Sequence, residues 1–256
     1  MRRLSCLVLV VCVMAFGLAD RGLSQTWNGP QSYVPTPIYP WGGFYGGFHI
    51  GGTWGGTDAY TTNGTVVGDY WSAAPSGLVL GAQLGYNWVN GPVLFGVEGD
   101  LGDLGLAGGA ATSLIPLSYD TYTNTDAGFY MTLRGRLGVV GDQWMLYFTG
   151  GWIGANTEIS VIGTCTSFPC GTDSVVASSS GFRNGWTIGG GIEAALSNTW
   201  TWKVEYLYYD LGESTISGRS NNNVPFTWRT ETDGQLVRAG INYRFGVGPS
   251  LIGSGY

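Results

Sequence analysis

The feature that most constrains this chain is a two-residue alternation that sorts its side chains into two incompatible sets. In "GFYMTLRGRLGVV", residues 128–140, Phe129, Met131, Leu133, Leu137 and Val139 fall on one face of an extended chain. Tyr130, Thr132, Arg134 and Arg136 fall on the other. Side chains of a strand point alternately to opposite faces, so this spacing predicts a strand and carries no helical period. The same sorting recurs in "LVRAGINYRF", "GLVLGAQLGYNW", "VLFGVEGDL" and "WTWKVEYLYYDLG". Strands are predicted at 43–55, 77–88, 93–104, 128–140, 143–158, 185–196, 200–210 and 236–245.

The connections alternate as well. "VNGP", "GDQ" and "SNT" are turn-sized, whereas the other four links are about twenty residues each, far longer than the usual connection in a compact domain. Short turns on one side and long loops on the other, with an even number of strands, are the layout of an outer-membrane barrel.

The polar face carries Glu98, Asp100, Arg134, Arg136, Glu193, Lys203, Glu205, Arg238 and Arg244, in a chain only 11% charged. Gly47, Gly51, Gly81, Gly85, Gly189 and Gly191 share that face. An eight-stranded barrel is just wide enough inside for side chains, so the face with glycines has room to be the inner one. The aromatic face then meets lipid, where an arginine at the midplane would cost about 2–4 kcal/mol. The nine charged groups form a lumenal network in this reading, with His49, the chain's lone histidine, inside with them. Lys203 and Glu205 are expected to pair with neighbouring strands rather than with each other. A soluble lipocalin-like barrel, with the charges outward, is the structural rival.

Aromatic residues mark the short-turn end. Trp88, Trp144, Trp200, Tyr243 and Phe245 predict a periplasmic girdle at headgroup level, with Trp54, Trp152 and Tyr208 as candidates for the opposite one. The fold expected is therefore all-β: an eight-stranded antiparallel up-and-down transmembrane β-barrel over 43–245.

The flanks read differently. "MRRLSCLVLVVCVMAFGLAD" has the basic start, apolar run and small residues of a secretory signal, with cleavage expected after Ala19. Residues 20–42 are a proline-rich periplasmic lead-in, and 246–256 a C-terminal extension. Cys165 and Cys170, in "CTSFPC", are expected to form a small disulfide loop in an oxidising compartment. No metal site or cofactor is expected. With 11 Lys and Arg against 17 Asp and Glu, the chain lacks the basic footprint of a nucleic-acid binder.

The stretches "WGGFYGGFHIGGTWG", "FGVEGDLGD", "RGRLGVVGDQWMLYFTGGWIGAN", "GWTIGGGIEAALSNTWTWKVEYLYYDLG" and "VRAGINYRF" together resemble the outer-membrane immunogenic-protein family of alphaproteobacteria, porin-like surface antigens with an OmpA-like eight-stranded barrel. The resemblance spans residues 41–245. It implies an outer-membrane location, exposed loops and a structural, non-catalytic role. The partners expected are the outer-membrane bilayer, the barrel-assembly machinery and lipopolysaccharide. The alternatives are a narrow porin, a haem-binding barrel using loop residues such as Tyr60, Tyr70, Tyr119 or Tyr122, and a lipid-modifying enzyme using His49.

Overall fold

The computed structural model describes residues 41–64, 67–68, 70–112, 120–165 and 173–245, and every regular element among them is a strand. The expected signal, the lead-in up to residue 40 and the extension 246–256 lie outside the described residues. The strands are β1 Gly43–Asn63, β2 Tyr70–Ala73, β3 Ser76–Asn90, β4 Val93–Thr112, β5 Asp120–Val140, β6 Trp144–Cys165, β7 Asp173–Ala195, β8 Trp200–Arg219 and β9 Pro225–Phe245. All pairings are antiparallel between neighbours, and β1 pairs with β9 from Phe44↔Phe245 to Asn63↔Thr227, which closes the ring.

Nine strands make eight staves. β1 pairs with β3 in its lower part and with β2 above it, so β2 and β3 are two halves of one stave. The interruption falls at Ala74–Pro75, and proline has no N–H to give to a ladder.

Each stave outruns the sequence boundary on the long-loop side. β1 continues to Asn63, β6 to Cys165 and β9 begins at Pro225. The extra residues keep the two-residue alternation but swap large apolar residues for Thr, Ser and acids on the outside, and that swap conceals them as loops. A strand of 21 residues spans roughly 65–70 Å, or about 50 Å along the axis at barrel tilt. The exposed apolar belt is shorter. On β1 it runs from Phe44 to Trp54, close to the 9–11 residues or so that a tilted strand needs to cross a bilayer. The remainder of the barrel stands beyond the membrane.

The outer surface carries the aromatic face. Phe48 is 77% exposed, Phe148 74% and Leu133 62%, values that water would penalise and hydrocarbon does not. The inner space is filled in layers. At the short-turn end Trp41, Leu94, Met145 and Tyr147 form an apolar plug, with the Trp41 indole N–H donating to Gly141 O at 3.0 Å. A middle layer carries the charges. Above it pack Leu104, Leu106, Tyr130, Leu207, Tyr209 and Leu211. A further cluster under the outer rim contains Trp71, Ile159, Val161, Ile216, Phe226 and Trp228.

Candidate functional site: the charged layer in the barrel

Every stave contributes to the middle layer. Glu98 and Asp100 come from β4, Arg134 and Arg136 from β5, Glu193 from β7, Lys203 and Glu205 from β8, and Arg238 from β9, all of them buried. β1 adds Tyr45 and His49, β3 Gln83, and β6 Tyr147 and Thr149. Four cations thus face four carboxylates, which leaves the layer formally neutral.

The pairs cross the lumen rather than merely stepping to the next strand. Lys203 Nζ donates to both Glu98 oxygens at 2.9 Å, although β8 and β4 are on opposite sides of the ring. Arg134 reaches Glu98 at 2.5 Å, Asp100 at 2.7 Å and Glu205 at 3.0 Å. Arg238 holds Glu205 through Nε at 2.7 Å and Asp100 at 3.1 Å. Arg136 binds Glu193 at 3.0 Å and lies over the Tyr147 ring, 3.8 Å from its centroid. The expectation of adjacent-strand partners fits Glu205 with Arg238. It misses Lys203, because the lumen is narrow enough for a lysine to span it.

Neutral groups saturate the remaining lone pairs. Thr132 donates to Asp100, Thr201 to Glu193 and Tyr45 to Glu98, at 2.5, 2.5 and 2.8 Å. His49 heads a relay. Asn242 donates to Glu193 Oε1 at 3.0 Å, and Gln83 donates to Asn242 Oδ1 at 2.7 Å. The Gln83 carbonyl therefore faces His49 Nδ1, at 2.5 Å, and accepts its proton. His49 Nε2 is then an acceptor for the Tyr130 hydroxyl at 2.7 Å. Buried charges held this way are each hydrogen-bonded as well as paired, the condition for tolerating them away from water.

Glycines make the room. His49 faces Gly81 and Tyr45 faces Gly85 across the β1–β3 ladder. A methyl group on Gly81 would stand 2.5 Å from His49 Nε2, and one on Gly85 would meet the Tyr45 hydroxyl. The large side chain lies over the glycine, and its tip is thereby delivered to the centre of the lumen.

The other sequence-marked residues sit apart from this layer. Arg244 lies near the short-turn end, where its Nη2 donates to Gly42 O at 2.7 Å. Trp88, Trp144, Trp200, Tyr243 and Phe245 all lie on the outer surface beside the short turns, with Trp200 and Tyr243 edge-on at 5.0 Å. Trp54, Trp152 and Tyr208 border the upper edge of the apolar belt, joined by Trp186, which packs 5.5 Å from Tyr208. Tyr60 and Tyr70 are register partners on the outside above the belt, and Tyr122 is on β5, so these tyrosines do not converge on one point. Tyr119 lies outside the described residues. Cys165 is buried and disulfide-bonded, and Cys170, its expected partner, also lies outside them.

Sequence reasoning missed Trp41, Trp71, Phe226 and Trp228 as interior residues. Phe226 and Trp228 are stacked at 5.6 Å inside the outer half. Their two-residue spacing was the available signal.

A closed ring of tilted strands with a lipid-facing belt and a charge-paired lumen defines an integral outer-membrane β-barrel. The profile of the outer membrane protein beta-barrel domain matches residues 37–250, and the chain belongs to that family. The 25 kDa outer-membrane immunogenic protein of Brucella abortus is 29% identical over 256 residues, covering 96% of this chain and 100% of that one. The 31 kDa outer-membrane immunogenic protein of Brucella melitensis is 31% identical, covering 66% and 67%. The 22 kDa outer membrane protein of Rhizobium leguminosarum is 30% identical, covering 73% and 78%. Among solved structures, the outer membrane protein OprG of Pseudomonas aeruginosa aligns with a TM-score of 0.48 at 13% identity, covering 80% of this chain and 99% of that one.

Proposed function

We propose that this barrel is a non-catalytic structural protein of the outer membrane that carries a rigid sheet above the lipid as its exposed, antigenic surface. The observation that carries this reading is the neutral layer of four cations and four carboxylates, braced to all eight staves and capped by apolar packing on both sides. Such an interior ties the wall together and offers ions no continuous polar path. The names of the Brucella relatives, outer-membrane immunogenic proteins, support the antigenic part. His49 bonds Gln83, Tyr130 and Arg238 and, among the described residues, has no serine or cysteine as a hydrogen-bond partner, which supports a bracing role over a hydrolytic one. Export through a signal cleaved after Ala19, insertion by the barrel-assembly machinery and contact with lipopolysaccharide complete the proposal.

Planar-bilayer recording tests it. The purified protein is expected to insert without resolved ion-passing steps. Regular conductance steps from the wild-type chain would replace this reading with that of a narrow pore.

A further inference from the structure

The wall of the barrel is not uniformly hydrogen-bonded. β6 and β7 pair from Trp144↔Ala194 to Cys165↔Asp173, and β8 and β9 from Trp200↔Tyr243 to Arg219↔Pro225. Between β7 and β8 the ladder stops at Trp186↔Asp210, and the strands meet again at the bridge Val175↔Ser220. Residues 178–184 and 211–217 are thus the lips of a slit, which no side-chain hydrogen bond or ion pair crosses among the described residues. Their polar partners lie elsewhere: Trp152 for Asn184, Arg229 for Glu213, and Thr230 for the Ser214 carbonyl. The slit is closed at both ends. A methyl group on Gly185 would strike the Asp210 carbonyl below, and one on Gly218 would stand 2.9 Å from Ala177 Cβ above. Midway, a methyl on Gly181 would meet nothing within 4 Å.

A bulge alone does not account for it. β8 carries Asp210-Leu211-Gly212, with Gly212 at φ 71° donating its N–H to the Asp210 carboxylate at 2.7 Å. β4 carries the same device in Asp103-Leu104-Gly105, with φ 51° at Gly105 and the same 2.7 Å bond. Such bulges bend a strand, yet β4 regains β5 at Leu106↔Ala127 and β3 at Ser76↔Ala107. The difference lies on β7. Phe182 packs over Gly154, 6.2 Å from the Trp152 ring, and Asn184 accepts the Trp152 indole N–H at 3.2 Å. Both side chains lean toward β6, away from β8.

Opposing effects act on the lips. Ile216 on β8 and Ala177 on β7 are buried in the apolar cluster with Ile159 and Val161, which favours closure. At the rim Asn221 clasps Ser174, its backbone N–H donating to Ser174 O at 2.9 Å and its side chain to Ser174 Oγ at 2.7 Å. Against closure stands Arg183 on the β7 lip. Its Nη1 is buried with no hydrogen-bond partner. A buried donor left unmet costs free energy, which water restores once the lips separate.

We propose that the slit is a conformational joint: above the Gly212 bulge the lips of β7 and β8 part and reclose, released at the Asn221–Ser174 clasp, and bare the apolar interior behind them. Local opening of this kind is drawn from the parts of a fold with the sparsest hydrogen bonding. Below the bulge the β7–β8 ladder is continuous from Trp186↔Asp210 to Ala195↔Thr201, so the charged layer stays sealed. On either side β6–β7 and β8–β9 keep their ladders, which confines the motion to one seam of the wall above the lipid.

Maleimide labelling of the full chain in phosphatidylcholine vesicles, with the native disulfide intact, tests the joint. V161C and I159C each place a thiol on β6 directly behind the slit, at positions that are fully buried. A59C places an equally buried thiol on β1, on the opposite side of the ring. The β6 thiols are expected to react several-fold faster than A59C. Adding S174A/N221A, which removes the side-chain half of the clasp, should speed them by about fivefold, the worth of one ordinary hydrogen bond. Adding R183M should slow them, because the unmet guanidinium no longer favours opening. Equal rates at the β6 and β1 thiols would mean that the upper wall unfolds as a whole, and would overturn the joint. So would S174A/N221A rates equal to the parent's in a protein of wild-type circular dichroism. V161C and I159C are independent probes, so a misfolded variant leaves the other to decide. Conductance reads the lower barrel and labelling the upper wall, so the proposed function and the joint can fail separately.

Discussion

Lys203 and Glu98 stand on opposite sides of the ring, on β8 and β4, yet the ammonium lies 2.9 Å from both carboxylate oxygens. The contact is a strut across the barrel. Glu98 also receives Arg134 and the Tyr45 hydroxyl, so four staves meet at this one carboxylate.

Removing Glu98 strands several donors at once. E98Q should destabilise the barrel by about 3–5 kcal/mol, the usual range for breaking one side of a buried pair. Urea unfolding in phosphatidylcholine vesicles measures it. The double variant E98Q/K203M should recover part of the loss, because it also removes the stranded ammonium.

Leu133 tests which side faces lipid. Its side chain is exposed at mid-belt on β5, so L133R should cost about 2–4 kcal/mol in vesicles. T215R, on the outer face of β8 above the belt, should cost nearly nothing. Equal effects would contradict the membrane placement.

Gly81 tests the fit of His49. G81A places a methyl against the imidazole and should cost about 1–3 kcal/mol by overpacking. In an H49A background only part of that penalty should vanish, because the methyl also stands 2.7 Å from the Leu101 carbonyl oxygen, and a double-mutant cycle reads the part that belongs to His49.

Above the membrane, three acids line up. Asp58, Glu231 and Glu213 are successive register partners across β1, β9 and β8, and like charges directly opposite repel. E231Q should therefore raise the unfolding midpoint at low salt. Its advantage should fade near 1 M salt, where the Debye length is about 3 Å.

Alternation made the staves, the two faces and the nine inward charges legible in the sequence, because a strand fixes side-chain direction with a period of two. The belt was readable from Phe48, Leu133 and Phe148 for the same reason. The upper third of each strand was not, since Thr, Ser and Gly in 57–63 or 173–184 carry little hydropathy contrast between faces. Nor were the partners of each charge. Whether Lys203 reaches Arg238's neighbour or crosses to Glu98 depends on ring diameter and stagger, which no single strand encodes. Trp41 escaped because it follows a proline-rich stretch, and its burial depends on the open lower end of the ring.

The proposed antigenic role gives the continuation of β1, β6 and β9 past the lipid a consequence. What an antibody meets is largely a hydrogen-bonded wall, in which side chains side by side in space come from positions as far apart as Asp58 and Glu231. Sera against the native protein would then recognise surfaces that only the assembled ring presents, and linear peptides cut from it would capture little of that response.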